Sequence, residues 1–294
     1  MSVDHARDLD RTSRTAVSAD PAEPTDRGAL RSAASRGGRD DQSGWYALLG
    51  AVAAVATWYL LTDLLLAHRP LMHEFSPTRT WSGVVELWET GVLVDDASAS
   101  VMRLVVGLAI AILVGIVAGV LIGSVSWLER TTRPVVGFLR MVSPLSWAPL
   151  VIVLVGIGDL PVIALVALTT VWPVMLAALA GVRAVNPGHL AVARTLGATR
   201  WETLRSVIAP SLRPHLLTGV RAAVALGWVV LVPAEMLGVT SGLGYQILNA
   251  KDQLAYHHIT ALIVVIGVIG LAIDVVARWA LRTPRERRAE AGVP

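Results

Sequence analysis

Residues 186–210 read NPGHLAVARTLGATRWETLRSVIAP and lie between two strongly hydrophobic segments. The first part has the signals of a short helix: Asn186 is a favoured N-cap, and Pro187 follows it at the first helical position, where a missing N–H costs nothing. Gly197 lies where a left-handed residue commonly ends a helix. The sequence therefore predicts a capped helix between Asn186 and Gly197.

The second part of this segment predicts another short helix. Thr199 and Glu202, three residues apart, form the pattern of a capping box. Pro210 is expected to end this helix. Three arginines supply the polar side of the whole segment, Arg194, Arg200 and Arg205. An ordered polar segment of this kind suits either of two roles, a helix pair lying at the lipid headgroups or a surface on which another protein docks.

Composition places the chain in a membrane. Hydrophobic residues make up 54% of it and charged residues 16%, and the mean hydropathy is +0.61, values that do not suit a soluble domain of this length. Six apolar runs are long enough, or nearly so, to cross the hydrocarbon core: Leu48–Ala67, Leu104–Gly123, Val142–Ile157, Val162–Val182, Leu216–Leu237 and Ile259–Trp279. We therefore predict an all-α membrane protein with six transmembrane helices, the third of them broken by Pro144 and Pro149.

Arginine distribution predicts the orientation of these spans, because short cytoplasmic loops carry an excess of positive residues. The arginines collect in three places: Arg130, Arg133 and Arg140 between spans two and three; Arg183, Arg194, Arg200, Arg205 and Arg213 between spans four and five; and Arg282, Arg285, Arg287 and Arg288 after span six. All three places are on one side of the membrane, so both termini are expected to be cytoplasmic. With no short apolar region near the N-terminus, span one is expected to stay uncleaved.

The 186–210 segment resembles the cytoplasmic coupling loop of ATP-binding cassette (ABC) importer permeases. The family pattern is Glu-Ala-Ala, three residues, Gly, nine residues, then Ile-x-Leu-Pro. The matching positions here are Ala191, Val192, Ala193, Gly197, Val207, Ala209 and Pro210, so the family's Glu and Leu are absent. Four other segments resemble the nitrate/sulfonate/taurine group of these permeases: SPLSWAP (143–149), GIG (156–158), AGVRAVNP (180–187) and AEMLGVTSGLGYQIL (234–248). The likeness covers roughly residues 60–285.

This resemblance implies a type I ABC importer permease domain over residues 45–283, flanked by a disordered cytoplasmic tail at 1–44 and a cytoplasmic tail at 284–294. It implies that residues of the 186–210 loop couple the permease to an ATPase, and the positions singled out are Ala191, Ala193, Arg194, Gly197, Arg200, Trp201 and Pro210. It further implies two cytoplasmic ATPase subunits that bind ATP and Mg²⁺, a second permease subunit forming a homodimer, and an extracytoplasmic binding protein. The expected location is a bacterial plasma membrane, and the favoured substrate is an anion resembling a sulfonate, nitrate or taurine.

Four ionisable residues lie within the predicted spans, where a charge is costly and normally faces a partner or a wet cavity. Arg103 and Glu235 match in depth near the outer ends of spans two and five. Arg221 and Asp274 match near the inner ends of spans five and six. In each pair the two opposite charges are predicted to neutralise one another and to hold the helices of the bundle together. The alternative is that Arg103 or Glu235 lies on the substrate pathway.

Several kinds of chemistry lack the residues they require. A phosphate-binding loop of the G-x-x-x-x-G-K-[ST] type needs a lysine, and the single lysine is Lys251 in NAKDQ. Neither a zinc-protease motif nor a nucleophile elbow occurs. His257 and His258 are adjacent, so on a helix they are expected to point apart, and no metal site is predicted. The remaining alternatives are a membrane scaffold that holds an ATPase without transporting anything, and an intramembrane enzyme.

One further helix is expected outside the spans. Trp81, Val84, Val85 and Trp88 follow helical spacing after Ser76-Pro77 in the first outer loop. Such a helix suits the outer membrane interface, where tryptophan is favoured, and contact with a binding protein is the alternative.

Overall fold

The computed structural model describes residues 45–46, 48–65 and 73–282, and the regular structure within these ranges is helical. The predicted tails at 1–44 and 284–294 lie outside the described residues, as do the last two residues of the first predicted span. Contacts divide the chain after Trp58 into two units. The larger unit, from Tyr59 onward, carries every site discussed below.

Ten helices account for the described fold. They are α1 (Leu48–Leu64), α2 (Pro77–Glu89), α3 (Val92–Ser124), α4 (Ser126–Met141), α5 (Ala148–Val155), α6 (Asp159–Arg183), α7 (Pro187–Thr195), α8 (Arg200–Gly238), α9 (Leu243–Asp252) and α10 (Tyr256–Ala280).

Four of these helices, α3, α6, α8 and α10, are long and apolar enough to cross a membrane. A fifth span exists if α4 and the 144–155 stretch that follows count as one, although they are bent by 89°. The apolar helix α1 is shorter. The protein is therefore a multi-pass, all-helical membrane protein in the part that the structure describes, and two of the six predicted spans correspond to these less regular pieces.

The predicted third span, Val142–Ile157, is where prediction and structure differ most. A 3₁₀ turn at Pro144–Trp147 precedes α5, which has only 8 residues. Pro144 and Pro149 lie in the first turns of these two pieces, the positions where a proline loses no hydrogen bond. Proline therefore starts two short helices here and does not merely kink one long helix. The amphipathic helix α4, which precedes them, was not predicted.

The centre of the bundle is α6, packed between α3 and α8. Small residues allow the close approach: a Cβ at Gly107 would lie 2.8 Å from Val166 Cγ1, and one at Gly119 would lie 2.4 Å from the Met175 carbonyl oxygen. On the other side of α6, a Cβ at Gly219 would lie 2.3 Å from Ala177 Cβ. Such contacts are typical of membrane helices, whose association depends on close packing and not on exclusion of water.

Helix α2 packs against the start of α10. Ser76 caps α2 by accepting a hydrogen bond from the backbone N–H of Arg79, at 3.3 Å. The buried face of α2 includes Gly83 and Leu87, whereas Trp81 and Trp88 are 69% and 63% exposed. The two tryptophans are therefore available for contact outside the chain.

Candidate functional site

The 186–210 segment begins with α7, whose two ends are closed as the sequence indicates. Asn186 Oδ1 accepts a hydrogen bond from the backbone N–H of Gly188 at 2.8 Å. At the other end the N–H of Gly197 donates to the Arg194 carbonyl and the N–H of Ala198 donates to the Ala193 carbonyl, both at 3.0 Å. These two bonds form a Schellman motif, and Gly197 has the left-handed φ of 73° that it requires.

The second helix of the segment opens with a complete capping box. Thr199 Oγ1 accepts from the backbone N–H of Glu202 at 3.2 Å, and the Thr199 N–H donates to Glu202 Oε2 at 2.7 Å. Two backbone donors that a helix start leaves open are thereby satisfied. Only four residues, 196–199, separate the two helical stretches around the Gly197 turn.

The prediction that Pro210 ends this helix is wrong, because α8 runs without a break from Arg200 to Gly238. A π-helical turn, Leu204–Ile208, lies just before the proline, and the backbone N–H of Ala209 bonds to the Leu204 carbonyl. Within a regular α-helix the proline ring would clash with the carbonyl four residues earlier. The wider π turn separates these groups, so the helix passes through Pro210 into the membrane-spanning part.

The segment presents an exposed surface around Gly197. Leu196 is 80% exposed and Trp201 is 67% exposed, and Arg194 and Arg200 are exposed beside them. Exposed large apolar side chains at a turn between two capped helices suit contact with another protein or with lipid headgroups.

The remaining predicted coupling residues differ in exposure. Ala191 and Pro210 are exposed, whereas Ala193 is buried. Ala193 lies at a cleft of about 620 Å³ between α7 and the first turns of α8, which Val192, Thr203 and Val207 also line. Burial of Ala193 fixes α7 against α8, while the other predicted residues face outward.

A buried charge cluster lies elsewhere in the bundle, where α3, α6 and α8 meet the chain before α9. Arg103 on α3 is 2% exposed and Glu235 on α8 is 0% exposed, and Arg103 Nη1 lies 2.7 Å from Glu235 Oε1. The structure therefore brings the predicted outer pair together. Glu235 also accepts hydrogen bonds from Ser100 Oγ at 2.8 Å and from the Gly244 N–H at 3.0 Å. These bonds satisfy a carboxylate that is out of contact with water.

The cluster contains residues that the sequence analysis missed. Asp159, at the start of α6, accepts from Arg103 Nε at 2.7 Å and is 50% exposed. Ser241 accepts from the same guanidinium through its carbonyl at 2.9 Å and its Oγ at 2.7 Å. Asp96 accepts from the Gly242 N–H and, at 2.6 Å, from Gln246 Nε2. In the sequence, Asp159 is the single charged residue of the stretch 156–161. No local pattern indicates that it contacts Arg103.

The predicted inner pair is not formed. Asp274 Oδ2 lies 2.8 Å from Nη2 of Arg278, one turn along the same helix, and this ion pair is partly exposed. Arg221 Nη2 instead donates to the Leu281 carbonyl at 2.8 Å, at the end of α10. A one-turn neighbour on the same helix is always within reach, so Asp274 needs no partner from α8.

Comparison with known proteins agrees with the fold. The family described as binding-protein-dependent transport system inner membrane component matches residues 111–285, more than half of the chain. The taurine transport system permease protein TauC of Escherichia coli is 35% identical over 60% of this chain and 64% of its own length. A probable ABC transporter permease protein of Brucella melitensis is 32% identical over 77% of this chain and 90% of its own length.

The bicarbonate transport system permease protein CmpB of Synechococcus elongatus is 33% identical over 63% of this chain and 66% of its own length. The matched region thus spans slightly less than two thirds of the taurine and bicarbonate permeases. The chain belongs to the family of binding-protein-dependent transport system inner membrane components, as an ABC transporter permease of the nitrate/sulfonate/taurine group.

Solved structures show the same fold at low sequence identity. A bacterial ABC transporter involved in the import of the acidic polysaccharide alginate has a TM-score of 0.58 at 16% identity, covering 84% of this chain and 98% of its own. The MetNI methionine ABC transporter, in inward-facing conformations, has a TM-score of 0.56 at 19% identity, covering 65% and 95%. The α-helical architecture is therefore that of ABC importer permeases.

Proposed function

We propose that this chain forms the translocation pathway of an ABC importer and that residues 186–210 receive the movement of its ATPase. The observation that carries the proposal is the continuity of α8. A helix of 39 residues joins the exposed docking surface at Arg200 to the buried Glu235. At 1.5 Å per residue such a helix is about 58 Å long. Displacement of its first turn is transmitted along the axis without an intervening loop.

The proposed assembly has two copies of the permease, two cytoplasmic ATPase subunits that bind ATP and Mg²⁺, and a binding protein on the outer side. In this arrangement the chain crosses a bacterial plasma membrane six times, with α1 and the bent pair as the less regular spans and both termini in the cytoplasm. Closure of the ATPase pair moves the docked segments, and the two permeases pass between inward-open and outward-open states as rigid bodies. The chain itself then has no catalytic role.

The proposed substrate is a small anion resembling a sulfonate, nitrate or taurine, delivered by the binding protein. Relatives named for taurine and for bicarbonate support a small anion as the substrate.

The buried cluster supports a structural role for its charges, because Arg103 already has two carboxylates and Ser241 within hydrogen-bonding distance. Four of the five N–H groups of this guanidinium are thereby used, and its side chain is 2% exposed, so little of it is left to bind a substrate anion.

Gly197 offers the sharpest test of coupling. A Cβ at this glycine would meet nothing within 4 Å in the chain, so a substitution acts through the left-handed backbone or through the docked partner. Valine strongly opposes a positive φ, whereas asparagine tolerates it. Gly197→Val should leave the permease in the membrane but abolish co-purification of the ATPase and substrate-stimulated ATP hydrolysis in reconstituted vesicles. Gly197→Asn should retain more of both than Gly197→Val.

A second variant examines the surface itself. Arg200→Glu with Trp201→Ala removes one exposed cation and one exposed apolar side chain without changing the caps. Gly137→Ala on α4 is the matched control, since a Cβ there also meets nothing within 4 Å. Wild-type ATPase binding and coupling in both Gly197→Val and the double variant would refute the coupling role, and the lipid-interface alternative would take its place.

Orientation and transport are tested separately. The chain has no cysteine, so a single introduced thiol reports its own side of the membrane. Glu89→Cys should react with an impermeant reagent in intact cells, and Thr195→Cys should react only after permeabilisation. Uptake that depends on both ATP and the binding protein in reconstituted vesicles would exclude the scaffold.

A further inference from the structure

A cluster of two histidines and two glutamates lies where α2 packs against the first turn of α10. His258 Nε2 lies 2.9 Å from Glu86 Oε2, and His257 Nε2 lies 3.6 Å from the same oxygen. The expectation that adjacent histidines point apart is therefore wrong here. Both are in the first turn of α10, and their ring centroids are 4.3 Å apart.

Packing between the two helices holds the cluster in place. A Cβ at Gly83 would lie 3.0 Å from the His257 carbonyl oxygen, and Thr80 Oγ1 donates to Thr260 Oγ1 at 3.0 Å. Gly83 is one helical turn before Glu86, so the close backbone contact at Gly83 presents the Glu86 carboxylate to both imidazoles. Supporting contacts of this kind are what hold ligands within a few tenths of an ångström of a working geometry.

The hydrogen-bonding options of His257 point to a cation. Its Nδ1 lies 3.3 Å from Glu74 Oε2 while its Nε2 faces Glu86. A neutral imidazole has one N–H and one lone pair. If Nδ1–H faces Glu74, the lone pair on Nε2 faces the oxygen of Glu86. That arrangement is repulsive unless Nε2 is protonated as well or a metal cation lies between the two atoms.

We infer that Glu86, His257 and His258 form a binding site for a divalent transition-metal ion of the Zn²⁺ class. Two imidazole nitrogens and a carboxylate are a ligand set that zinc uses, with water in the fourth position. Tetrahedral ligands about 2.0–2.1 Å from zinc are about 3.3–3.4 Å from one another. The two distances to Glu86, 2.9 and 3.6 Å, lie on either side of this value, and all three ligand atoms lie within 4.8 Å of one another.

Two further observations support the site. Glu74 takes the place of the carboxylate that usually orients a zinc-bound histidine through its other ring nitrogen. The side chains of His257 and His258 are 26% and 24% exposed and that of Glu86 is 56% exposed, so an ion has access from solvent.

The experiment measures metal binding to the purified full-length chain, isolated with a tag that contains no histidine and stripped with a chelator. Because the chain has no cysteine, thiolates do not contribute to the Co²⁺ spectrum. We expect one Co²⁺ or Zn²⁺ per chain and the visible absorption of a tetrahedral Co²⁺ site. Glu86→Gln and His258→Ala should each weaken Zn²⁺ binding at least 100-fold, and Glu74→Gln about 10- to 100-fold.

His189→Ala is the matched control, because this histidine is exposed on α7, away from the cluster. It should bind Zn²⁺ like the wild type. Glu86→Gln preserves the shape of the side chain, so circular dichroism and size-exclusion profiles should match the wild type. Zn²⁺ should raise the thermal midpoint of the wild type and of His189→Ala but not that of Glu86→Gln. No binding at 100 µM Zn²⁺, or binding that Glu86→Gln and His257→Ala leave unchanged, would overturn the assignment and leave a set of histidine–glutamate contacts.

Discussion

Glu235 and Asp159 contact the same guanidinium at the same distance, 2.7 Å, but they differ in burial. The Glu235 side chain is 0% exposed and that of Asp159 is 50% exposed. Removing one partner of a buried ion pair costs about 3–5 kcal/mol, because the other charge is left uncompensated. Removing a half-exposed partner costs about 0–1 kcal/mol, because water replaces it.

We therefore expect Glu235→Gln to destabilise the protein by about 3 kcal/mol, the lower end of that range, since Asp159 still contacts Arg103. Asp159→Asn should cost no more than about 1 kcal/mol. A difference of about 2 kcal/mol is roughly a 30-fold change in the folding equilibrium. The assay is denaturant or thermal unfolding of the purified chain in one detergent, with size exclusion to verify that each variant is monodisperse before unfolding.

A double variant checks the cause. Replacing Arg103 by methionine together with Glu235→Gln removes both buried charges, and it should recover part of the loss seen in Glu235→Gln alone. If Asp159→Asn destabilises the chain as much as Glu235→Gln, burial does not set the cost and the reasoning fails.

Three further predictions concern other parts of the fold. Asp274→Ala should lower the free energy of unfolding by no more than about 0.5 kcal/mol in the same assay, because Asp274 pairs with Arg278 one turn along the same partly exposed helix face. A loss above about 2 kcal/mol would show instead that Asp274 helps to hold the bundle together. Gly119→Ala should lower the thermal midpoint clearly, since its Cβ would lie 2.4 Å from a carbonyl oxygen of α6, whereas Gly137→Ala, which meets nothing, should not lower it. Thr199→Ala should remove about 1 kcal/mol of helix-start stability and speed limited proteolysis of the 186–210 segment about fivefold; an unchanged cleavage rate would show that the cap does not hold the segment.

The sequence was a good guide wherever the deciding interactions are local. The hydrogen bonds of the Thr199–Glu202 capping box, and those that close α7 at the left-handed Gly197, join residues no more than five positions apart. Their pattern is therefore visible in the sequence. The buried pair Arg103–Glu235 was a long-range prediction, but it relied on a strong constraint, since two opposite charges at one depth in a membrane favour each other.

The errors have physical reasons of two kinds. Pro210 was expected to end a helix because the rule assumes α-helical geometry, and the π turn before it changes that geometry. Asp159 and Asp96 join the buried cluster through the packing of distant helices, which no spacing in the sequence reports. The His257–His258 prediction applied the angles of successive helical residues and ignored that long side chains in a first turn can rotate toward one partner.

The π turn at Leu204–Ile208 also has a consequence for how this loop can change in evolution. A π turn closes over five residues where an α turn closes over four, so deleting one residue from it would restore an ordinary α-helix. Five residues of a π turn cover nearly the same angle as four of an α turn, so the Gly197 turn would keep its direction after such a deletion. The ring of Pro210 would, however, then meet the carbonyl four residues earlier, so we expect a single-codon deletion here to persist only if Pro210 is replaced as well.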